Sequence, residues 1–146
     1  MLAKSADGRL IEGDDFHSAE NREKMRQGIA LTDVDRESWL NSLASLLRAD
    51  PHRAVLTCSA LKKIYRDKLR SANPDLVFIF LQLGPEDSLA RVTSRANEHF
   101  FSGSLVNSQF ATLEPPLGEP RVLVLDAMRP LPELTAQAME WLKDVN

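Results

Sequence analysis

The most regular stretch of the chain is a stripe of large apolar residues, Trp39, Leu40, Leu43, Leu46 and Leu47, at positions that fall on one side of a helix. Thr32 or Asp33 can cap that helix and Pro51 ends it. Further apolar runs are too short for helices and are bounded by turn residues: Arg9 to Glu12, Ala54 to Cys58, Leu76 to Leu83 and Arg121 to Asp126. These read as strands. Between them lie helical stretches from Asn21 to Gln27, Ala60 to Ser71, Pro85 to Arg95, Leu105 to Leu113 and Pro130 to Val145. Residues 1–6 read as the end of a helix stopped by Asp7-Gly8, and residues 96–104 as a polar loop. Strands that alternate with helices and are apolar along their length predict an α/β fold, a parallel sheet with helices on both faces. No repeat or linker divides the chain, so residues 1–146 form one domain.

Composition narrows the classes without naming one. The chain is 43% hydrophobic and 27% charged, with a net charge of -3, an ordinary soluble balance that points to neither nucleic acid nor an anionic membrane as partner. One cysteine, Cys58, excludes an internal disulfide and reads as a small buried residue. There is no bilayer-length apolar run and no secretory segment at Met1, which makes the cytoplasm the expected location.

Three clusters could carry chemistry. The first is Glu12-Gly13-Asp14-Asp15 with His17, Asn21 and Lys24. Residues just past the carboxyl end of a parallel strand face the ligand crevice, where one carboxylate can hold Mg²⁺ through water and another can take a proton from a hydroxyl. The same residues also read as a solvated acidic turn with His17 capping the next helix. The second cluster follows Cys58: Lys62, Arg66 and Arg70 stand four apart on one helix face, next to Lys63. That face suits a carboxylate or phosphate, or else is a solvated basic surface in which Lys63 pairs with Asp67. The third is Arg91 and Arg95 at the root of the polar segment containing His99, placed to clamp a phosphoryl group or simply to stand on the surface. His99 has no second ligand at metal spacing.

Together the blocks EGDDFHSAENREKM at 12–25, LTDVDRESWL at 31–40, CSALKKIYRDKLR at 58–70 and HFFSGSLVNSQFATLEPP at 99–116 resemble the gluconate kinase family. These are small P-loop kinases related in fold to shikimate and adenylate kinases, and the likeness runs from Leu10 onward. It implies transfer of the γ-phosphoryl of ATP to D-gluconate, giving 6-phosphogluconate, with ATP and Mg²⁺ as cofactors and a homodimer as assembly. Carried across, Asp14 matches the carboxylate that accepts the substrate hydroxyl proton. Glu12 stands where many relatives have Asp beside Mg²⁺. His17, Arg36, Lys62, Lys63 and Arg66 fall in blocks that line the sugar-acid pocket. Arg91 and Arg95 match arginines that engage nucleotide and phosphates, with residues 96–113 as a lid.

One departure is large. The family opens with a strand and a GxxxxGK[ST] loop, and the six glycines here form no such pattern. The resemblance therefore implies that this strand and loop are absent from the chain. The family's first strand lies mid-sheet, so its absence is expected to leave the strands at 54–58 and 76–83 facing across a gap, with phosphoryl transfer impaired. The alternative reading is a non-catalytic, kinase-derived module that binds a sugar acid or pairs with another subunit. Another acceptor, such as shikimate or a nucleoside monophosphate, fits the CSALKK and SQFATLEPP blocks poorly.

Overall fold

The computed structural model describes residues 1–94 and 103–145. In chain order the elements are α1 (Leu2–Ser5), β1 (Arg9–Glu12), a 3-10 turn (Gly13–Phe16), α2 (Ala19–Arg26), α3 (Asp33–Ala49), β2 (Ala54–Thr57), α4 (Lys63–Ala72), β3 (Phe78–Gln82), α5 (Pro85–Ser94), α6 (Gly103–Thr112), β4 (Val122–Asp126) and α7 (Leu131–Val145).

α3 forms where its stripe predicts. Thr32 accepts from the Asp35 amide while the Asp35 side chain accepts from the Thr32 amide, a reciprocal cap that satisfies two free donors of the first turn. Trp39, Leu40, Leu43 and Leu47 of α3 are buried against Leu61, Tyr65 and Leu69 around α4. Leu43 has no exposed surface, which is worth about 1.5–3 kcal/mol relative to a solvated side chain. Leu56 of β2 and Phe78 of β3 pack on the same cluster. Successive strand residues point to opposite faces, so Ile79 turns the other way and packs with Leu123, Leu125 and Leu2 against Leu134 and Ala138 of α7. Helices therefore cover both faces, as the alternating pattern predicts.

All strand pairs among the described residues are parallel. β1 pairs with β2, with Ile11 opposite Leu56, and β3 pairs with β4, with Phe80 opposite Val124. These are two separate two-stranded sheets. β2 and β3 are joined by α4 but are not hydrogen-bonded to each other, so the sheet does not close up between them. Each pair also leaves an apolar side chain in solvent: Leu10 on β1, Leu81 on β3 and Val124 on β4 are all exposed.

Several boundaries differ from the sequence reading for local reasons. α2 begins two residues early because the Ser18 hydroxyl accepts from the Asn21 amide and caps it. α4 begins at Lys63, since Ala60 has a positive φ of 36° and Lys62 is extended. β3 is shorter because the Leu76 amide bonds back to the Asn73 carbonyl in a turn. No described helix is long and apolar enough to cross a membrane.

Candidate active site

The site is built outward from the carboxyl end of β1. Ile11 is buried and anchors the strand, and the chain then leaves it through the 3-10 turn that carries Asp14. Gly13 is required at the exit: a Cβ there would lie 2.2 Å from the Thr57 carbonyl oxygen of the neighbouring strand. The Gly13 amide donates to the Thr57 hydroxyl at 3.2 Å, and that hydroxyl donates to the Glu12 carboxylate at 2.8 Å. The Gly13 carbonyl accepts from the buried Trp39 indole N–H at 2.8 Å. Arg22 donates to the carbonyls of Asp14 and Asp15, closing the turn from the α2 side.

His17 follows the turn and is buried, its ring stacked on Trp39 at 4.2 Å between centroids. Its Nε2 lies 3.8 Å from an Asp14 carboxylate oxygen. Burial first, then the positive charges of Arg36 and Arg22, push its pKa down to about 4, so the imidazole is neutral at physiological pH. Its buried Nδ1 has no hydrogen-bond partner among the described residues. His17, Arg36, Trp39 and Ser59 line a small crevice whose far wall comes from α6, through Leu105, Ser108 and Gln109.

A second layer adjoins it. Arg36 donates to the Tyr65 hydroxyl at 3.0 Å, the Tyr65 hydroxyl donates to Asp33, and Lys62 donates to Asp33 at 3.0 Å. The Tyr65 hydrogen bond, with Lys62 beside it, holds the Asp33 carboxyl below its usual range, and Asp33 in turn raises Lys62. Arg36 and Lys62 are thus brought to one polar patch through Tyr65. Lys24 is held by Asp35 at 2.9 Å.

The remaining cationic residues are placed differently. Lys63 is exposed and pairs with Asp67, while its amide donates to the Glu114 carboxylate. Arg66 is buried and its guanidinium is engaged on every side. It donates through Nε and Nη2 to the two Glu119 oxygens at 3.0 and 2.6 Å, and also to the carbonyls of Ala60 and Glu114. Arg70 joins the same carboxylate at 2.9 Å. Arg66 therefore fastens the 114–119 segment to α4. Arg91 donates to the Ala127 carbonyl just past β4. Arg95 and residues 96–102 of the lid-like stretch, His99 among them, fall outside the described residues. Burial pushes the Cys58 thiol up to about 12, as suits a packing residue.

No group of three or more His, Cys, Asp or Glu among the described residues is arranged to hold a metal ion. Glu12 offers one carboxylate, fixed by Thr57. That fits a Mg²⁺ ion held mainly by water and substrate phosphates, which needs only one or two protein carboxylates. The glycine-rich cradle for nucleotide phosphates has no counterpart in these residues.

Sequence reasoning missed Ser59, Ser108 and Gln109 as crevice residues, although all three stand inside the blocks CSALKK and SQFATLEPP. It assigned Trp39 to the core alone, and nothing local announced Glu119 as the partner of Arg66.

No protein-family model matches the chain. Among curated proteins it is 41% identical to the gluconokinase of Arabidopsis thaliana over 129 residues, 78% of this chain and 68% of that one. It is 38% identical to the thermoresistant gluconokinase of Escherichia coli over 146 residues, 97% of this chain and 83% of the relative. The crystal structure of a gluconokinase from Sinorhizobium meliloti superposes with a TM-score of 0.88 at 39% identity, covering 99% of this chain and 82% of that one. Identity of this order over nearly the whole chain, on the same parallel α/β frame, makes it a member of the gluconokinase family and a gluconate kinase-like phosphotransferase.

Proposed function

We propose that the crevice beside Asp14 receives D-gluconate and that Asp14 takes the proton from the hydroxyl to which the phosphoryl group is transferred. The observation that carries this is the placing of Asp14. Its turn is gripped through Gly13 by Thr57 and Trp39, at the carboxyl end of a parallel strand. A base held in this way loses little freedom on reaching a hydroxyl, and general-base catalysis of this kind contributes about 10²–10⁴-fold. His17 supports the assignment as a neutral imidazole that lines the same crevice, with its Nε2 3.8 Å from the Asp14 carboxylate. Arg36 supplies positive charge for the sugar-acid carboxylate, with Lys62 in the adjoining layer. Arg66 and the Lys63 amide act one step back, setting where the 114–119 segment lies through Glu114 and Glu119.

On the donor side, ATP brings the transferable phosphoryl group and Mg²⁺ offsets its charge. Glu12 would hold the ion through water, and Arg91 with Arg95 would meet the phosphates as the 96–113 lid closes. Because these residues lack the glycine-rich cradle, transfer by the 146-residue chain is slow in this proposal. A homodimer and a cytoplasmic location accord with the reading. The test is ATP-dependent phosphorylation of gluconate by the chain and by Asp14→Asn. Any wild-type rate should fall at least a hundredfold in the variant while gluconate affinity holds; an equal rate in both removes Asp14 from the role.

A further inference from the structure

We propose that Trp39 is a positioning residue for Asp14, acting with Thr57 as the opposing grip on the turn between them. The inference rests on the reading of Asp14 as the base and adds a residue to it. Trp39 is 1% exposed and belongs to the α3 core, which by itself would make it packing. Two features go beyond packing. Its indole N–H reaches 26 residues back to donate to the Gly13 carbonyl, the peptide oxygen directly before Asp14. Its ring also stacks nearly parallel on His17, at 17° between planes, on the far side of the same turn. Trp39 thus holds both ends of the segment 13–17, with Asp14 between its two contacts.

From the other side, the Thr57 hydroxyl takes the Gly13 amide. The peptide groups flanking Gly13 are therefore bonded in two directions, to a strand and to a helix. Such a grip restricts rotation of the turn that aims the Asp14 carboxylate. His17, whose Nε2 is 3.8 Å from that carboxylate, moves with the indole. Phenylalanine would fill most of the space and keep a stacking face, but it has no N–H to offer. The Gly13 carbonyl would then be buried without its donor, and the turn would drift. Displacements of about 1 Å in a reacting group can cost on the order of a hundredfold in rate.

The experiment compares the chain with Trp39→Phe and, as an independent route to the same turn, Thr57→Val. Amide hydrogen exchange by NMR reads the turn without requiring activity. The expected result is at least tenfold faster exchange at Asp14, Asp15 and Phe16 in each variant, with Leu69 in α4 unchanged. In the phosphorylation assay kcat should fall at least tenfold while KM for gluconate changes less than threefold. If Trp39→Phe fails to fold, Thr57→Val carries the same two readouts. Unchanged exchange at the turn, or uniform acceleration that includes Leu69, overturns the proposal. Exchange that responds as expected in a protein that never phosphorylates gluconate would preserve the positioning and sink the assignment of the base instead.

Discussion

Replacing Arg66 by Met separates a structural cation from a ligand-binding one. The native guanidinium makes four hydrogen bonds, two to Glu119 and one each to the carbonyls of Ala60 and Glu114, in a site where its side chain is 3% exposed. Methionine fills the stem but leaves both carbonyls and half of a carboxylate without donors. Breaking a buried pair in this manner costs about 3–5 kcal/mol. Arg70 continues to hold one Glu119 oxygen at 2.9 Å, so the lower end of that range, about 3 kcal/mol, is expected. For a chain of this size that corresponds to roughly 6–12 °C in the unfolding temperature. Thermal and urea unfolding followed by circular dichroism measure it. The double variant R66M/E119L should recover part of the loss, because removing both charges spares the uncompensated one. A cost below about 1 kcal/mol, or a loss of gluconate binding at full stability, would refute the assignment of Arg66 to fastening the 114–119 segment.

Three further outcomes follow from the site's electrostatics and packing. The folded pKa of His17 is about 4, below its ordinary 6.5, so the unfolded chain binds the proton first and stability falls as pH drops from 6.5 towards 4. The loss amounts to about 3 kcal/mol, which His17→Asn should flatten in a pH series of urea midpoints. The bonds from Arg66 and then Arg70 hold the Glu119 carboxyl below its ordinary 4.5, so its contribution is present above that pH and lost below it. Glu119→Gln should therefore be least costly relative to wild type in acid, as read from the same midpoints. The half-buried Cys58 thiol, pushed up to about 12, should react with iodoacetamide at pH 8 about a hundredfold more slowly than a free thiol; rapid labelling of the folded protein would contradict that shift.

What could be read from the sequence, and what could not, divides by range. α3 was legible because its cap and its apolar stripe are both local, and the Asp14 turn was legible because a glycine followed by carboxylates ended a short apolar run. The start of α4 was not, since the positive φ of Ala60 arises where the Leu61 carbonyl is pinned to the Glu114 amide, 53 residues away. Arg66 looked like part of a cationic face because helical spacing shows where a side chain points and not what waits there. Its carboxylate partner is as distant in the chain. The double duty of Trp39 was hidden for the opposite reason, as the core stripe accounted for it fully.

In the proposed function, Asp14 and Arg36 stand in the acceptor's half of a kinase cleft. Calorimetric titration of the chain with D-gluconate, repeated on Arg36→Met, decides whether that half binds its ligand. Saturable binding that weakens at least tenfold in the variant is the predicted result, since a charge-assisted pair contributes about 1.5–3 kcal/mol. Absence of gluconate binding by the folded wild-type chain, or binding indifferent to Arg36, would contradict it.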